Sequence, residues 1–284
     1  MAFAYPNKLP KYPGAYTVNY DPLKPTTDFL NSITVQKAPS VYLPESASRS
    51  PVSMNAMPGT ANPITDERRA LSRRILLAAG VYIPPPLTRI YDTVEVPRTI
   101  GARLVRDLVN GGYMLVYQYH PSRRGGAIKI PRVLDPGWLE LRQFGMERPE
   151  QVLGGGWDHD LCGKVVGSVG KRQNYRAFYE VPIGPQKDVR IDVVLEATNK
   201  PRLYCQCCFS SAAREVEAAV RALSTILAGA GRLLLVCRDK ALAGTISPLL
   251  KKEETCRQLH ERISIKLFGD LLEHYHMRNE GGML

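Results

Sequence analysis

The sequence contains no apolar run near the ~18 residues that a helix needs to cross a bilayer. No signal peptide heads the chain, and no helical stretch combines a lysine-rich face with an aromatic back, as membrane-surface helices do. These absences argue against a membrane partner. They predict a cytoplasmic protein, a location that includes association with a nucleoid or a virion.

Acidic residues are clearly fewer than basic residues. The chain has 27 acidic against 38 basic residues, a formal net charge of +11 and an isoelectric point of about 9.4. An excess of this size favours a polyanionic partner, most simply nucleic acid. The apolar content of 44% and charged content of 23% are otherwise typical of globular proteins, and 284 residues suffice for two modest domains and a tail.

Cysteines are few and crowded, which excludes a disulfide framework. Three of the six, Cys205, Cys207 and Cys208, lie in one apolar run. Cys205 and Cys208 form a Cys-x-x-Cys pair, but no second pair follows at zinc-ribbon spacing, so we interpret them as buried reduced thiols. His274 and His276 are two residues apart on a predicted helix, where their rings would not face one another and would not bind a metal together.

Proline is concentrated at the start of the chain, where nine prolines lie among tyrosine, serine, threonine and asparagine residues. No hydrophobic pattern with a helical or strand period extends there over more than a few residues. We therefore predict an extended arm over residues 1–62 that is disordered when free and partly ordered in a complex. Apolar anchors such as Tyr12, Tyr16 and Phe29 suit binding along a partner, so the arm is one route to a homo-oligomer or a larger assembly.

Three helices are predicted next. The first runs from Thr65 to Gly80, and the second spans residues 87–94. The third occupies residues 97–111, because Pro97 is favourable at a helix start and the Gly111-Gly112 pair at a helix end.

A basic hairpin follows the third helix. Strand-like runs at residues 113–119 and 127–131 flank a turn with two arginines and two glycines. A closing helix at residues 137–144 would pack Trp138 onto the core. Residues 66–148 hold 14 basic against 8 acidic residues, so under a third of the chain carries over half of the excess charge.

This order of elements resembles a winged-helix DNA-binding domain. The matching motifs are the Leu-Val-x-x-Leu-Val-x-Gly-Gly-Tyr junction at 104–113, the arginine–glycine wing and the Asp-Pro-Gly-Trp motif at 135–138. The resemblance implies that the third helix enters the major groove and that the wing contacts phosphate or the minor groove. The groove candidates are Arg98, Thr99, Arg103 and Arg106, and the wing and phosphate candidates are Arg123, Arg124, Lys129 and Arg132.

A glycine-rich hinge at residues 150–156 separates this winged-helix domain (63–149) from a second domain at 157–276, and residues 277–284 form a tail. The hydrophobic pattern of the second domain predicts a helix, three strands, and then alternating helices and strands. This order indicates a mixed sheet with covering helices, so the chain is assigned to the α+β / α/β class.

The second domain resembles the restriction-endonuclease-like fold of the PD-(D/E)xK nuclease superfamily. In that superfamily an acid on the second strand, and an acid and a lysine two residues apart on the third, converge on one metal ion and one water. Here Asp192 takes the position of the first acid and metal ligand. Gln206 stands in place of the second acid and Cys208 in place of the lysine, with Glu180 as a nearby carboxylate.

A site with one carboxylate and no lysine binds Mg²⁺ poorly and leaves the charge of the transition state unneutralised. The sequence therefore predicts double-stranded DNA as the partner, an inactive nuclease-like domain, and no cofactor unless Mg²⁺ serves a cleaving site. This combination resembles proteins of plasmids, phages and transposons that act in DNA replication, regulation or transfer. Two alternatives stay open: an active Mg²⁺-dependent endodeoxyribonuclease, and a structural or assembly protein whose winged helix contacts protein.

Overall fold

The computed structural model describes residues 66–122, 126–184, 189–226 and 231–277. The chain first forms three helices and then a two-stranded antiparallel hairpin with a helix after it. These elements are α1 (Asp66–Ala79), α2 (Leu87–Val94), α3 (Arg98–Asn110), β1 (Met114–Tyr119), β2 (Ile128–Val133) and α4 (Asp135–Arg142). The predicted arm at 1–62 lies outside the described residues.

The start of α4 depends on a glycine. A Cβ atom at Gly137 would lie 2.5 Å from the Tyr113 carbonyl oxygen and 2.6 Å from the Val133 side chain. Because the first of these neighbours is backbone, a larger residue would push α4 away from the hairpin. The glycine therefore lets Trp138 reach the core, where its indole N–H donates to the Val133 carbonyl at 3.1 Å.

The remaining residues form a five-stranded mixed sheet in the order β3-β4-β5-β6-β7. Strands β3, β4 and β5 are antiparallel neighbours, and β5, β6 and β7 are parallel neighbours. The strands are β3 (Arg176–Ile183), β4 (Val189–Glu196), β5 (Leu203–Cys208), β6 (Arg232–Cys237) and β7 (Ile263–Leu267). The helices are α5 (Trp157–Arg172), α6 (Ala212–Ile226), α7 (Lys240–Lys252), α8 (Glu254–Gln258) and α9 (Phe268–Met277), with a 3₁₀ turn at His260–Arg262.

Helices cover both faces of this sheet. Apolar residues of α6 and α7 pack on one face, in a cluster with Leu233 and Leu235 of β6. Residues of α5 and α9 pack on the other face, in a cluster with Val236. Because alternate residues of β6 enter different clusters, the strand is buried on both faces, as its continuous apolar sequence predicts.

The helix–hairpin part shares a core with the sheet. Ile83, Tyr119 and Ile130 belong to the same buried cluster as Leu161 of α5 and Phe268 of α9. All the described residues fall in one compact unit. The predicted domain boundaries stay a prediction, but the contacts across them are extensive.

The glycine-rich segment predicted as a hinge is anchored to α5. The Asp160 carboxylate accepts hydrogen bonds from the backbone N–H groups of Val152 at 2.6 Å and Leu153 at 3.2 Å. Leu153 is buried, and a Cβ atom at Gly163 would lie 2.5 Å from its side chain. Residues 152 and 153 are therefore part of the packed core.

The mixed α and β composition predicted from the sequence is confirmed, with a five-stranded mixed sheet. The two short elements between α7 and β7 were not predicted, because five- and three-residue elements are too short to show a period. Among the described residues, no helix has both the length and the apolar character to cross a membrane.

Candidate functional site

The predicted groove residues lie together on the exposed side of α3. Arg98, Thr99, Arg103 and Arg106 are all exposed. At 100° per residue their directions span an arc of about 140°. The buried side chains of Leu104 and Leu108 lie outside this arc, so α3 presents a basic stripe to solvent and an apolar stripe to the core.

Two arginines of α1 form ion pairs with other helices, whereas the arginines of α3 form none within the described part of the chain. Arg68 pairs with Asp107 of α3, and Arg73 donates to Glu140 of α4 at 2.7 Å. The structure shows no ion pair for the three α3 arginines with any acid in the described ranges. Arg68 and Arg73 therefore hold α1 to α3 and α4, and the α3 arginines remain available to a partner.

The wing candidates differ in availability. Lys129 is exposed on β2. Arg132 is half-buried: its guanidinium donates to the Tyr117 hydroxyl at 3.3 Å and lies 6.0 Å from the centre of the Trp157 ring. Arg132 is thus partly used inside the molecule. Two further candidates lie outside the described residues: Arg123 and Arg124.

A cleft of about 720 Å³ lies between α3, the hairpin and the end of α9. Its basic lining residues are Arg98, Arg106 and Lys129, and α9 contributes Glu273 and His276. Burial, reinforced by two nearby arginines, lowers the pKa of His276 to about 4, so this ring is neutral at pH 7. The cleft shows that α9 borders the surface formed by the predicted groove helix and wing.

A second group of polar side chains joins α5, β4 and β5. One ligand atom each of His159, Asp192 and Cys207 lies within 4.8 Å of the other two. His159 Nε2 is 3.2 Å from Asp192 Oδ2, and the Cys207 backbone N–H donates to the same oxygen at 2.6 Å. The His159 Nδ1–H donates to the Gly154 carbonyl at 2.8 Å.

Charge and burial set the protonation of this group. Burial alone would lower the pKa of His159, but the hydrogen bond and charge of Asp192, with the Gly154 carbonyl, raise it to about 9. His159 is therefore a cation at neutral pH and neutralises Asp192. Burial and the neighbouring Cys162 thiol raise the pKa of Cys207 well above its usual value, so this thiol is not a ready nucleophile.

Asp192 reaches this group because the strand alternation is broken in β4. Ile191 and Val194 both pack in the cluster with α6, although two residues separate them, and Val193 packs in the cluster with α5. Beside it on β3, Glu180 has a φ of 49° and is skipped in the pairing with β4, although its neighbours on either side both pair. Irregular backbone of this kind is often found next to functional sites.

The structure does not bring Gln206 to Asp192. Cys205 and Cys207 lie in the cluster with α5, whereas Tyr204 and Cys208 lie in the cluster with α6. Strand alternation therefore places Gln206 on the α6 face, away from the His159 side of the sheet. Cys205 and Cys207, and not Gln206 and Cys208, occupy the face of Asp192.

Glu180 lies beside the group but contacts other residues. Its carboxylate accepts a hydrogen bond from the Gly154 backbone N–H and binds Arg190 at 3.1 Å. Since the Gly154 carbonyl accepts from His159, Glu180 is linked to the site through a single peptide segment. It supports the loop and does not join the donor group of His159, Asp192 and Cys207.

The buried thiols are those expected from the sequence. All six cysteines are buried and unpaired. Cys205 and Cys208 belong to different clusters on opposite faces of the sheet, so the Cys-x-x-Cys spacing does not make one site. Cys207 was not predicted as a site residue, although its place on the alternate face from Gln206 and Cys208 was a usable signal.

The chain matches no protein-family model, and no curated protein matches it with significant similarity.

Proposed function

We propose that this protein binds double-stranded DNA through the exposed stripe of α3, with Lys129 and the neighbouring hairpin as a second contact. The observation that carries the proposal is the set of three exposed α3 arginines, which make no ion pair with an acid in the described part of the chain. The net charge of +11 adds long-range attraction to a polyanion.

Arginine suits both contacts that a helix in the major groove makes, those to base edges and those to phosphates. Its guanidinium can bind the two acceptors of guanine in the major groove, or a phosphate, through paired hydrogen bonds. A helix with its core stripe formed by Leu104 and Leu108 can enter a groove without losing its own packing. We assign Arg103 and Arg106 to the groove and Lys129 to phosphate.

We propose further that the part of the chain that forms the five-stranded sheet and its covering helices, called the sheet domain below, is not a Mg²⁺ nuclease. Mg²⁺ prefers six oxygen ligands, and the group around Asp192 offers one carboxylate, one imidazole and one thiol. These residues do not fit Mg²⁺, so we assign the domain a role in packing or assembly, within a DNA transaction of the replication, regulation or transfer type.

Replacing Arg103 and Arg106 together by alanine should weaken binding to a 20–30 base-pair duplex by about thirtyfold or more, because each lost contact costs about 1 kcal/mol or more. The slope of log K against log salt concentration should fall in magnitude by about 0.9 for each of the two arginines that neutralises a phosphate at the groove edge. Fluorescence anisotropy over a series of salt concentrations measures both quantities.

The matched control is Arg214→Ala with Arg232→Ala, which removes the same charge from exposed positions on α6 and β6. This control should change the affinity only through net charge, by less than threefold or so in ~0.15 M salt, where distant charges are screened. Equal losses in the two double variants would contradict a specific role for α3. Absence of duplex binding by the wild type at low salt would favour the assembly protein.

The same duplex should stay intact when Mg²⁺ is added, as seen by denaturing gel electrophoresis. Cleavage that requires Mg²⁺ and disappears in Asp192→Ala would overturn the assignment of the sheet domain and favour the endodeoxyribonuclease. The binding result for α3 would be unaffected by this outcome, because it is measured without divalent ions.

A further inference from the structure

Three donor atoms of different chemistry converge on the α5 face of the sheet. They come from an imidazole on α5, a carboxylate on β4 and a thiol on β5, all within 4.8 Å of one another. Asp192 is only 8% exposed and Cys207 is buried, whereas the His159 side chain retains partial exposure. The group is thus enclosed by protein on the sheet side and accessible from the helix side.

The hydrogen bond of the other imidazole nitrogen is the second relevant observation. His159 Nδ1 is 2.8 Å from the Gly154 carbonyl oxygen, so its N–H donates to that oxygen and Nε2 faces Asp192. A metal ion would displace the proton that Nε2 carries in the free protein. Metal-binding histidines commonly donate their remaining N–H to a backbone carbonyl, which fixes the ring orientation. Here the ring is already oriented with Nε2 toward the other two donors.

The donor set selects the class of ion. Thiolate and imidazole ligands favour borderline ions such as Zn²⁺, whereas Mg²⁺ and Ca²⁺ prefer oxygen alone. In a tetrahedral zinc site, bond lengths of about 2.0–2.3 Å place neighbouring ligand atoms about 3.5 Å apart. His159 Nε2 and Asp192 Oδ2 are 3.2 Å apart, and all three ligand atoms lie within 4.8 Å of one another. Only small side-chain movements are therefore needed to reach this spacing.

We propose that His159, Asp192 and Cys207 form a binding site for a divalent ion of the Zn²⁺ class. The bound ion holds the start of α5 against β4 and β5 and leaves one coordination position toward solvent. The site lies at the place where β3 and β4 depart from regular geometry, which explains why Asp192 turns to the α5 face. This inference is independent of DNA binding by α3.

The test uses the full chain, freed of metal with a chelator, kept reduced and titrated with Co²⁺ as a spectroscopic substitute for Zn²⁺. We expect a thiolate-to-cobalt charge-transfer band that saturates at one equivalent per chain and disappears when one equivalent of Zn²⁺ is added. Zn²⁺ should also raise the melting temperature, because an ion that binds only the folded chain stabilises it. Absence of the charge-transfer band at stoichiometric Co²⁺ would overturn the proposal.

Two variants test proposed ligands, and a third is their control. Cys207→Ala should remove the charge-transfer band. His159→Gln should weaken Co²⁺ binding by more than about 100-fold, because even residues that only hydrogen-bond to a metal ligand typically change the affinity by about 10- to 100-fold when they are replaced. Cys205→Ala is the matched control, because Cys205 is equally buried on the same strand and face but is not in the donor group. A band that survives in Cys207→Ala, or is lost in Cys205→Ala, would contradict this ligand set. Circular dichroism confirms that each variant is folded.

Discussion

Replacing Asp160 by alanine should lower the free energy of unfolding by about 3–5 kcal/mol, the usual result of removing one partner of a buried ion pair. Asp160 is 3% exposed, and its Oδ2 lies 2.8 Å from the Nζ atom of Lys164, which is 5% exposed. The substitution would leave a buried ammonium group without its carboxylate. It would also leave the N–H groups of Val152 and Leu153 without their acceptor. Urea unfolding followed by circular dichroism measures the loss.

A paired variant separates these two effects. Asp160→Asn combined with Lys164→Met removes both charges and keeps an oxygen that can accept from the two backbone N–H groups. We expect this variant to be more stable than Asp160→Ala, since neutralising a buried pair costs less than breaking it. A cost below about 1 kcal/mol for Asp160→Ala would show that the ion pair and the loop contacts do not stabilise the fold.

Phe268→Ala should lower the free energy of unfolding by a similar amount, about 3–5 kcal/mol, because it leaves a cavity in a closely packed core. The Phe268 ring is fully buried at the start of α9. Its centre is 4.8 Å from that of Tyr119 and 5.7 Å from that of Phe209, both in edge-to-face contact. Since Tyr119 belongs to the hairpin and Phe209 follows β5, this ring connects the helix–hairpin part of the chain to the five-stranded sheet.

Two substitutions calibrate the Phe268 result. Phe268→Leu keeps most of the volume and should cost about 1.5 kcal/mol or less. Leu139→Ala, at a position 48% exposed on α4, should change the stability by about 0.5 kcal/mol or less. Because the core is shared, we expect one unfolding transition for the hairpin and the sheet. Two separated transitions in the wild type would contradict the coupling.

The two proposals concern different surfaces and call for different tests. The α3 stripe is exposed, basic and local to one helix, so we propose a large polyanion as its partner. The group of His159, Asp192 and Cys207 is small, largely enclosed and built from three elements, so we propose a single ion as its ligand. An ion at this group would stabilise the start of α5, next to the loop that Asp160 anchors.

The sequence by itself determined the order of the longer helices and strands and the two stripes of α3. Helix and strand periods follow from backbone geometry within a few residues, so the positions of Leu104, Leu108 and the α3 arginines could be predicted from spacing alone. The same holds for the continuous apolar run of β6. The buried state of Cys205, Cys207 and Cys208 likewise followed from their place in an apolar run.

Only the tertiary structure decided which charged residues are free and which are paired. Arg68 and Arg73 pair with acids 39 and 67 residues away, which no local pattern can reveal. Tertiary contacts also decided the partner of Asp192. Strict alternation predicted Gln206, but β4 departs from alternation between Ile191 and Val194, and the carboxylate meets His159 and Cys207. A single irregular residue reverses the face on which the neighbouring side chains lie, which alternation in the sequence cannot reveal.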